Sequence, residues 1–263
     1  PRQPLVRIAL ISDIHSNLAA LDAVLADIET RSVNQIVCLG DIIGYGPDPV
    51  ACIDLISQRC SWCLMGNHDF GVLYEPTNFN AAAEAAAYWT RQQIEQAARQ
   101  NRDDGVRRWE FLGRLKVRVL FDRYLCVHGS PRRPINEYLF PEDALNSPVK
   151  MQQVFDRIER ACLVGHTHVP GVFTNEPDFY SPTDLGGSYT FREGEKAIIN
   201  PGSVGQPRDL DPRASYAVLT MDNGQPGRID FHRLEYDVQS TVDKIHDIPQ
   251  LHDWLGDRLL EGR

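Results

Sequence analysis

The chain has 263 residues, 42% of them hydrophobic and 24% charged, ordinary values for a globular protein long enough to bury a sizeable core in one large domain or two small ones. Its net charge of −9 argues against attraction to a nucleic-acid backbone, although a local basic pocket can still take a small phosphate compound. No apolar run approaches the roughly 18–20 residues that cross a bilayer.

Pro1-Arg2-Gln3-Pro4 leads directly into a strand-like run with no signal-peptide core, so the expected compartment is the cytoplasm. Val6 to Ile11 reads as a buried strand that ends at Ser12-Asp13-Ile14-His15. Asn17 is placed to cap a helix whose Leu18, Leu21, Val24, Leu25 and Ile28 share one face. Ile36 to Leu39 is a second buried strand, ending at Gly40-Asp41, and Asp48 can cap a helix through Val50, Ile53 and Ile56. A third strand, Trp62 to Met65, ends at Gly66-Asn67-His68-Asp69. This βαβαβ order predicts a parallel sheet with right-handed crossovers, and each motif falls on the carboxyl edge where open α/β sheets build their sites.

An alanine-rich helical stretch then interrupts the pattern, a helical insertion over about 78–113 that can wall one side of the site, with core packing favoured over a partner surface. Val117 to Leu120 and Tyr124 to Val127 read as a hairpin turning at Asp122-Arg123 and delivering His128. Helical signals cover 141–159, and the buried strand Ala161 to Val164 ends at Gly165-His166-Thr167-His168. Short strands at 172–175, 188–192, 196–199, 215–220 and 228–234 precede a helix from about 238. No linker divides the chain, so residues 1–263 are expected to form a single domain of two packed sheets with helices outside.

The six cysteines (38, 52, 60, 63, 126 and 162) lie mostly in apolar runs, as buried free thiols do in a reducing compartment. Cys60-Ser61-Trp62-Cys63 is a lone CxxC, for which core packing is the favoured role over metal or redox chemistry.

Five of the eight histidines stand in the clusters that also hold aspartate, asparagine and glycine. Two-metal hydrolases hold ions about 3.5–4 Å apart, which requires a bridging carboxylate and ligands on either side. Asp13 and His15 alternate by two residues, so on an extended strand both would face one ion, and His166 and His168 repeat the pattern. Asp41 is the natural bridge, with Asn67 and His128 completing the second ion. Imidazole, carboxylate and amide donors without thiolate suit manganese, iron, zinc, cobalt or nickel better than magnesium or calcium. His68 has no obvious metal role. It is placed to stay protonated and protonate a leaving oxygen, with Asp69 orienting its ring.

The ordered set D-x-H, G-D, G-N-H-D, H and G-H-x-H resembles the calcineurin-like metallophosphoesterase superfamily. The runs Gly40 to Pro47, Val127 to Pro131 and Asn200 to Asp209 resemble its prokaryotic branch of small phosphodiesterases and diadenosine-tetraphosphatase-like proteins. The resemblance implies a four-layer α/β/β/α sandwich with two packed mixed sheets. It assigns one ion to Asp13, His15, Asp41 and His168, and the other to Asp41, Asn67, His128 and His166. Two divalent or trivalent transition-metal ions are the implied cofactors, manganese first. The implied reaction is hydrolysis of a small phosphodiester or dinucleoside polyphosphate by a metal-bridging hydroxide, with His68 as general acid. A non-catalytic scaffold of the same fold is the rival, as is a protein serine/threonine phosphatase. The retromer scaffold lacks the general-acid histidine, whereas His68 is present here.

Tyr45 is a candidate for base or phosphate contact, against a turn-packing role. Arg208 is a candidate phosphate ligand, against an ion pair with Asp209 or Asp211, and Arg132 is a weaker candidate. Arg133 stands where that branch carries an acidic residue, and it matters only if it faces the pocket. His232, His246 and His252 are expected at surface or satisfied core positions.

Overall fold

A computed structural model describes residues 5–121, 123–221 and 227–263. In chain order the elements are β1 (Val6–Ile11), α1 (Leu18–Glu29), β2 (Gln35–Cys38), α2 (Pro49–Arg59), β3 (Cys60–Cys63) and α3 (Asn67–Leu73). Next come α4 (Ala81–Gln100), α5 (Arg102–Gly113), β4 (Arg118–Phe121), β5 (Tyr124–Val127), α6 (Asp143–Asn146), α7 (Pro148–Phe155) and β6 (Ala161–Leu163). The chain continues through β7 (Gly171–Thr174), β8 (Asp178–Tyr180), β9 (Ser188–Thr190), β10 (Ala197–Asn200), β11 (Ala214–Met221) and β12 (Arg228–Leu234), then α8 (Val238–His246) and α9 (Trp254–Glu261).

These strands form two six-stranded mixed sheets, ordered β3-β2-β1-β11-β12-β9 and β4-β5-β6-β10-β7-β8. In the first, β1, β2 and β3 run parallel, as expected, and β11 joins β1 antiparallel. In the second, β5, β6 and β10 are parallel neighbours. The period of two along β1 explains the layering. Ile8 and Leu10 face the second sheet, where they meet Tyr124, Cys126, Leu163 and Ile199. Ala9 and Ile11 face outward onto Leu21, Val24 and Ile28 of α1 and Ile53 of α2. On the far side, Leu125, Cys162 and Ile198 pack against Met151, Val154 and Phe155 of α7. The result is the expected four-layer α/β/β/α sandwich.

Several elements differ from the sequence expectation. The third strand is Cys60–Cys63 rather than Trp62 to Met65, although Leu64 still bridges Lys116. The 141–159 helix is broken at Ser147-Pro148, because proline lacks the N–H that a continuing helix needs and disfavours helical geometry before it. The helical insertion is two helices divided at Asn101, whose side chain accepts from the N–H groups of Asp103 and Asp104 and so starts α5. Its Ala83, Ala86 and Trp89 are buried with Tyr45 and the C-terminal helices, which is the core-packing role. The C-terminal helix is likewise two helices, separated by the turn at Ile248-Pro249. Strand β8 and helix α3 were not expected.

Asn17 caps α1 through Ala20 N–H as anticipated, but Asp48 makes no side-chain cap and instead pairs with Lys244 at 2.9 Å. Of the expected hairpin turn, Asp122 lies outside the described residues, as do Pro1 to Pro4 at the start of the chain. All six cysteines are free, five of them buried. Among the described residues no helix is long and apolar enough to cross a membrane.

Candidate metal centre

The five histidine-bearing or acidic motifs follow the carboxyl ends of β1, β2, β3, β5 and β6 and converge there. They do so through bent loops rather than extended strand ends. Asp13, His15, Asp41, His166 and His168 all have positive φ, between 47° and 69°. The anticipated strand alternation of Asp13 with His15, and of His166 with His168, is therefore replaced by left-handed turns. Non-glycine residues there cost of order 1–3 kcal/mol each, and such strain clusters at functional sites.

Backbone bonds hold the turns together. Asp13 N–H donates to Gly40 O at 2.9 Å, and His15 N–H to Asp41 O at 3.0 Å. The Asn200-Pro201-Gly202-Ser203 loop fastens them from the other side. Ser203 Oγ donates to Asp13 O at 2.7 Å, and Asn200 Nδ2 to Gly165 O at 2.8 Å. Gly66 is required by close approach, since a Cβ there would lie 2.0 Å from the Asp41 carboxylate.

The ligand atoms of Asp13, His15, Asp41 and His168 lie within 4.8 Å of one another, and so do those of Asp41, His128 and His166. Asp41 is common to both groups. Its Oδ2 faces His15 Nε2 at 3.6 Å and His128 Nε2 at 3.3 Å, while Oδ1 accepts from His68 N–H at 2.8 Å. Asp13 Oδ1 lies 3.3 Å from His168 Nε2. Two rings have their tautomer set from behind. His128 Nδ1 donates to Leu39 O at 2.8 Å and His168 Nδ1 to Gln206 O at 2.5 Å, which turns the two Nε2 atoms toward the Asp41 and Asp13 carboxylates respectively.

A metal fits this donor set. Asn67 Oδ1 and His166 Nε2 are buried without a hydrogen-bond partner among the described residues. Buried polar atoms are rarely left so, and a cation satisfies oxygen and imidazole lone pairs together.

Burial sets the ionisation. It depresses the rings of His15 and His168, and pushes His166 down to about 3, with His128 adding repulsion. Those imidazoles are neutral and free to ligate at neutral pH. Burial alone would lower His128 too, but the Asp41 carboxylate overrides it and raises the ring to about 9. Burial alone would raise Asp13 and Asp41. His168 with His128 holds the first well below the usual carboxylate range, and His128 does so for the second.

His68 and Asp69 depart from their expected partnership. Asp69 accepts from the N–H groups of Asp41 at 2.8 Å, Ile42 at 3.0 Å and Gly66 at 3.0 Å, so it clamps the bridging loop to the start of α3. Burial, reinforced by Asp41, raises its carboxyl to about 7. The His68 ring is positioned by packing instead, 4.2 Å from Tyr45 and 4.6 Å from Phe79 between centroids. Its Nδ1 has no partner among the described residues, and burial lowers it to about 4. The ring is thus neutral in the free cavity, not protonated as the sequence suggested.

Tyr45 is buried at φ 61° against His15 and His68, a packing position on the site wall. Arg208 forms neither anticipated ion pair, because Asp209 takes Arg233 and Asp211 takes Arg213. Its guanidinium bonds Gln206 Oε1 at 2.6 Å and sits 5.9 Å over the Tyr45 ring. Arg132 is tied to Glu137 at 3.1 Å and Gln153 at 2.9 Å, while Arg133 is exposed. His232 is half-buried beside Tyr216, and His246 pairs with Asp257 at 3.0 Å. His252 is exposed, its Nδ1 accepting from Trp254 N–H. Sequence reasoning passed over Tyr138, which stacks on His166 at 3.7 Å and 18° and on Phe140 at 5.1 Å. Its place in the loop that follows His128 was the one available signal, and aromatic residues in loops carry no motif of their own.

The sequence profile of the calcineurin-like phosphoesterase superfamily domain matches residues 6–224. An uncharacterized protein of Methanocaldococcus jannaschii is 37% identical over 263 residues, covering 97% of this chain and 98% of that protein. The crystal structure of a metallophosphoesterase from Sphaerobacter thermophilus superposes with a TM-score of 0.81 at 36% identity, covering 99% of this chain and 100% of that one. A hypothetical protein from Pyrococcus horikoshii shares the fold, with a TM-score of 0.73 at 18% identity over 98% of this chain and 99% of that one.

Proposed function

The chain belongs to the calcineurin-like phosphoesterase superfamily, and from that premise we propose that it hydrolyses a small phosphodiester or dinucleoside polyphosphate at a two-metal centre. The observation that carries this reading is the shared Asp41 between two buried donor groups, with unpartnered lone pairs on Asn67 and His166. Asp13, His15, Asp41 and His168 would hold one ion, and Asp41, Asn67, His128 and His166 the other. Manganese is the first choice, with iron, zinc, cobalt or nickel as alternatives. Bound there, the ions would acidify water into a nucleophile and offset charge on the phosphoryl oxygens.

The chain's own groups supply the rest. The neutral rings of His15, His166 and His168 present lone pairs without a proton to displace. Tyr45 and Phe79 fix the His68 ring, and Asp69 fixes the loop that presents Asp41. A phosphate anion arriving beside His68 favours its protonated form and so charges it as general acid for the leaving oxygen. Arg208, unpaired by any acidic side chain among the described residues, is placed to contact a phosphate. Residues 1–263 act as one domain in this reading, which the shared interior of the two sheets supports. A cytoplasmic setting accords with the free thiols.

The test is hydrolysis of bis(p-nitrophenyl) phosphate, diadenosine tetraphosphate, p-nitrophenyl phosphate and a phosphopeptide, each with manganese, iron, cobalt, nickel and zinc. Turnover of the first two above the last two is the expected result. Inactivity on all four with every metal would leave the scaffold reading in its place.

A further inference from the structure

The ligating rings are braced from behind in two different ways. His128 and His168 each fix a ring nitrogen on a backbone carbonyl, Leu39 O and Gln206 O. No hydrogen bond reaches the His166 ring among the described residues, although the residue is only 3% exposed. A second ring takes that place. Tyr138 lies flat on His166, with centroids 3.7 Å apart and planes within 18°. Every other ring against a ligating histidine meets it at 36° to 87°, so this is the one parallel stack on a ligand among the described residues.

The chain builds a support for Tyr138. Lys150 of α7 reaches back to it, Nζ donating to Tyr138 O at 2.7 Å and to Asp143 Oδ2 at 2.6 Å. The same Asp143 oxygen accepts from Phe140 N–H at 2.8 Å. Between the two aromatics, Leu139 is buried with Met151 and Phe155 of α7. Phe140 then stacks on Tyr138 at 5.1 Å and 6°. Phe140 and His166 make no ring contact of their own, so the three rings run in series with Tyr138 in the middle. Tyr138 stays 39% exposed, so filling the core does not account for its position.

The plane of an imidazole decides whether it can ligate, because its lone pair lies in that plane. Backbone geometry leaves rotation about the last side-chain torsion of His166 loosely set. Ligating imidazoles ordinarily gain the missing restraint from a hydrogen bond to the other ring nitrogen, and loss of such a partner costs about 10–100-fold in metal affinity. A flat aromatic neighbour supplies the same restraint, and its π face favours a ring made electron-poor by a bound cation.

We propose that Tyr138 is a positioning residue of the metal centre, its ring holding His166 in plane for the ion shared with Asn67 and His128. The Asp143–Lys150 clamp of α6 and α7 is then part of the support of that ion. This rests on the two-metal reading, which makes His166 a ligand.

The experiment is calorimetric titration of the metal-free protein with manganese, using wild type, Tyr138→Phe and Tyr138→Leu, each checked for an unchanged Tm without metal. Y138L is expected to weaken one of two sites about tenfold and the other less than about twofold, and Y138F to stay within about twofold of wild type at both. Anomalous scattering from Y138L crystals at limiting manganese should keep the peak among Asp13, His15 and His168 and lose the one among Asn67, His128 and His166. Unchanged affinities in Y138L overturn the proposal, as does equal loss at both sites. A loss in Y138F as large as in Y138L also overturns it, since the hydroxyl rather than the stack would then be responsible. One arm needs no variant to fold: in manganese-loaded wild-type crystals Tyr138 should still lie parallel on His166, and a ring swung away overturns the proposal. Wild type taking up fewer than two ions overturns it together with the two-metal reading.

Discussion

His15 and His168 point their Nε2 atoms at each other across 3.1 Å. His168 carries its proton on Nδ1, held by the Gln206 carbonyl, so its Nε2 offers a lone pair to that gap. A cation placed between them and the Asp13 and Asp41 carboxylates satisfies the lone pairs without another proton.

Metal should therefore stabilise the fold. At about 100 times its dissociation constant, manganese is expected to add about 2.7 kcal/mol, raising Tm by about 5–10 °C. Scanning calorimetry with and without a chelator measures it. An unchanged Tm contradicts the donor arrangement.

Stability of the metal-free protein should fall below about pH 6.5. His68, at about 4, and His166, at about 3, titrate well below the ordinary imidazole value, and His15 and His168 are lowered too. The unfolded chain thus binds more protons than the folded one between those values. This stability is present above the unfolded imidazole pKa and is lost as pH falls toward the folded values. Asp69, raised to about 7, and His128, raised to about 9, oppose with one proton each over part of the range, against four lowered imidazoles. Urea unfolding at pH 5 and pH 7 should give a lower midpoint at pH 5.

His68→Gln should discriminate by leaving group. With an alkoxide leaving group the rate is expected to fall about 10²–10⁴-fold, as for loss of a general acid. With p-nitrophenolate, which needs little protonation, the loss should be much smaller. Equal losses on both would reassign His68 to site packing beside Tyr45 and Phe79.

Asp69→Asn should act on the metal loop. One oxygen becomes a donor facing backbone N–H groups, at a cost of about 1–3 kcal/mol. Weaker metal binding together with a lower Tm is expected. A fall in kcat alone, at constant metal affinity, would restore the role of orienting His68.

The site was legible because its residues are chemically distinctive and sit where a β-strand ends. Asp41 stood out only through its order among the other motifs, since Gly-Asp is common in turns. The layers followed from period-two burial in runs such as Val6 to Ile11. What the sequence did not disclose was backbone shape. Left-handed φ at Asp13 and His166 comes with tertiary bonds to Gly40, Ser203 and Asn200, which no local pattern encodes. Helix α3 is seven residues long and opens on the motif itself, too short for a helical period to register.

The most direct measurement is anomalous scattering from a crystal of the manganese-loaded protein. Two peaks about 3.5–4 Å apart are expected, one among Asp13, His15 and His168 and one among Asn67, His128 and His166, with Asp41 between them. A single peak, or none at these residues, would contradict the two-metal account.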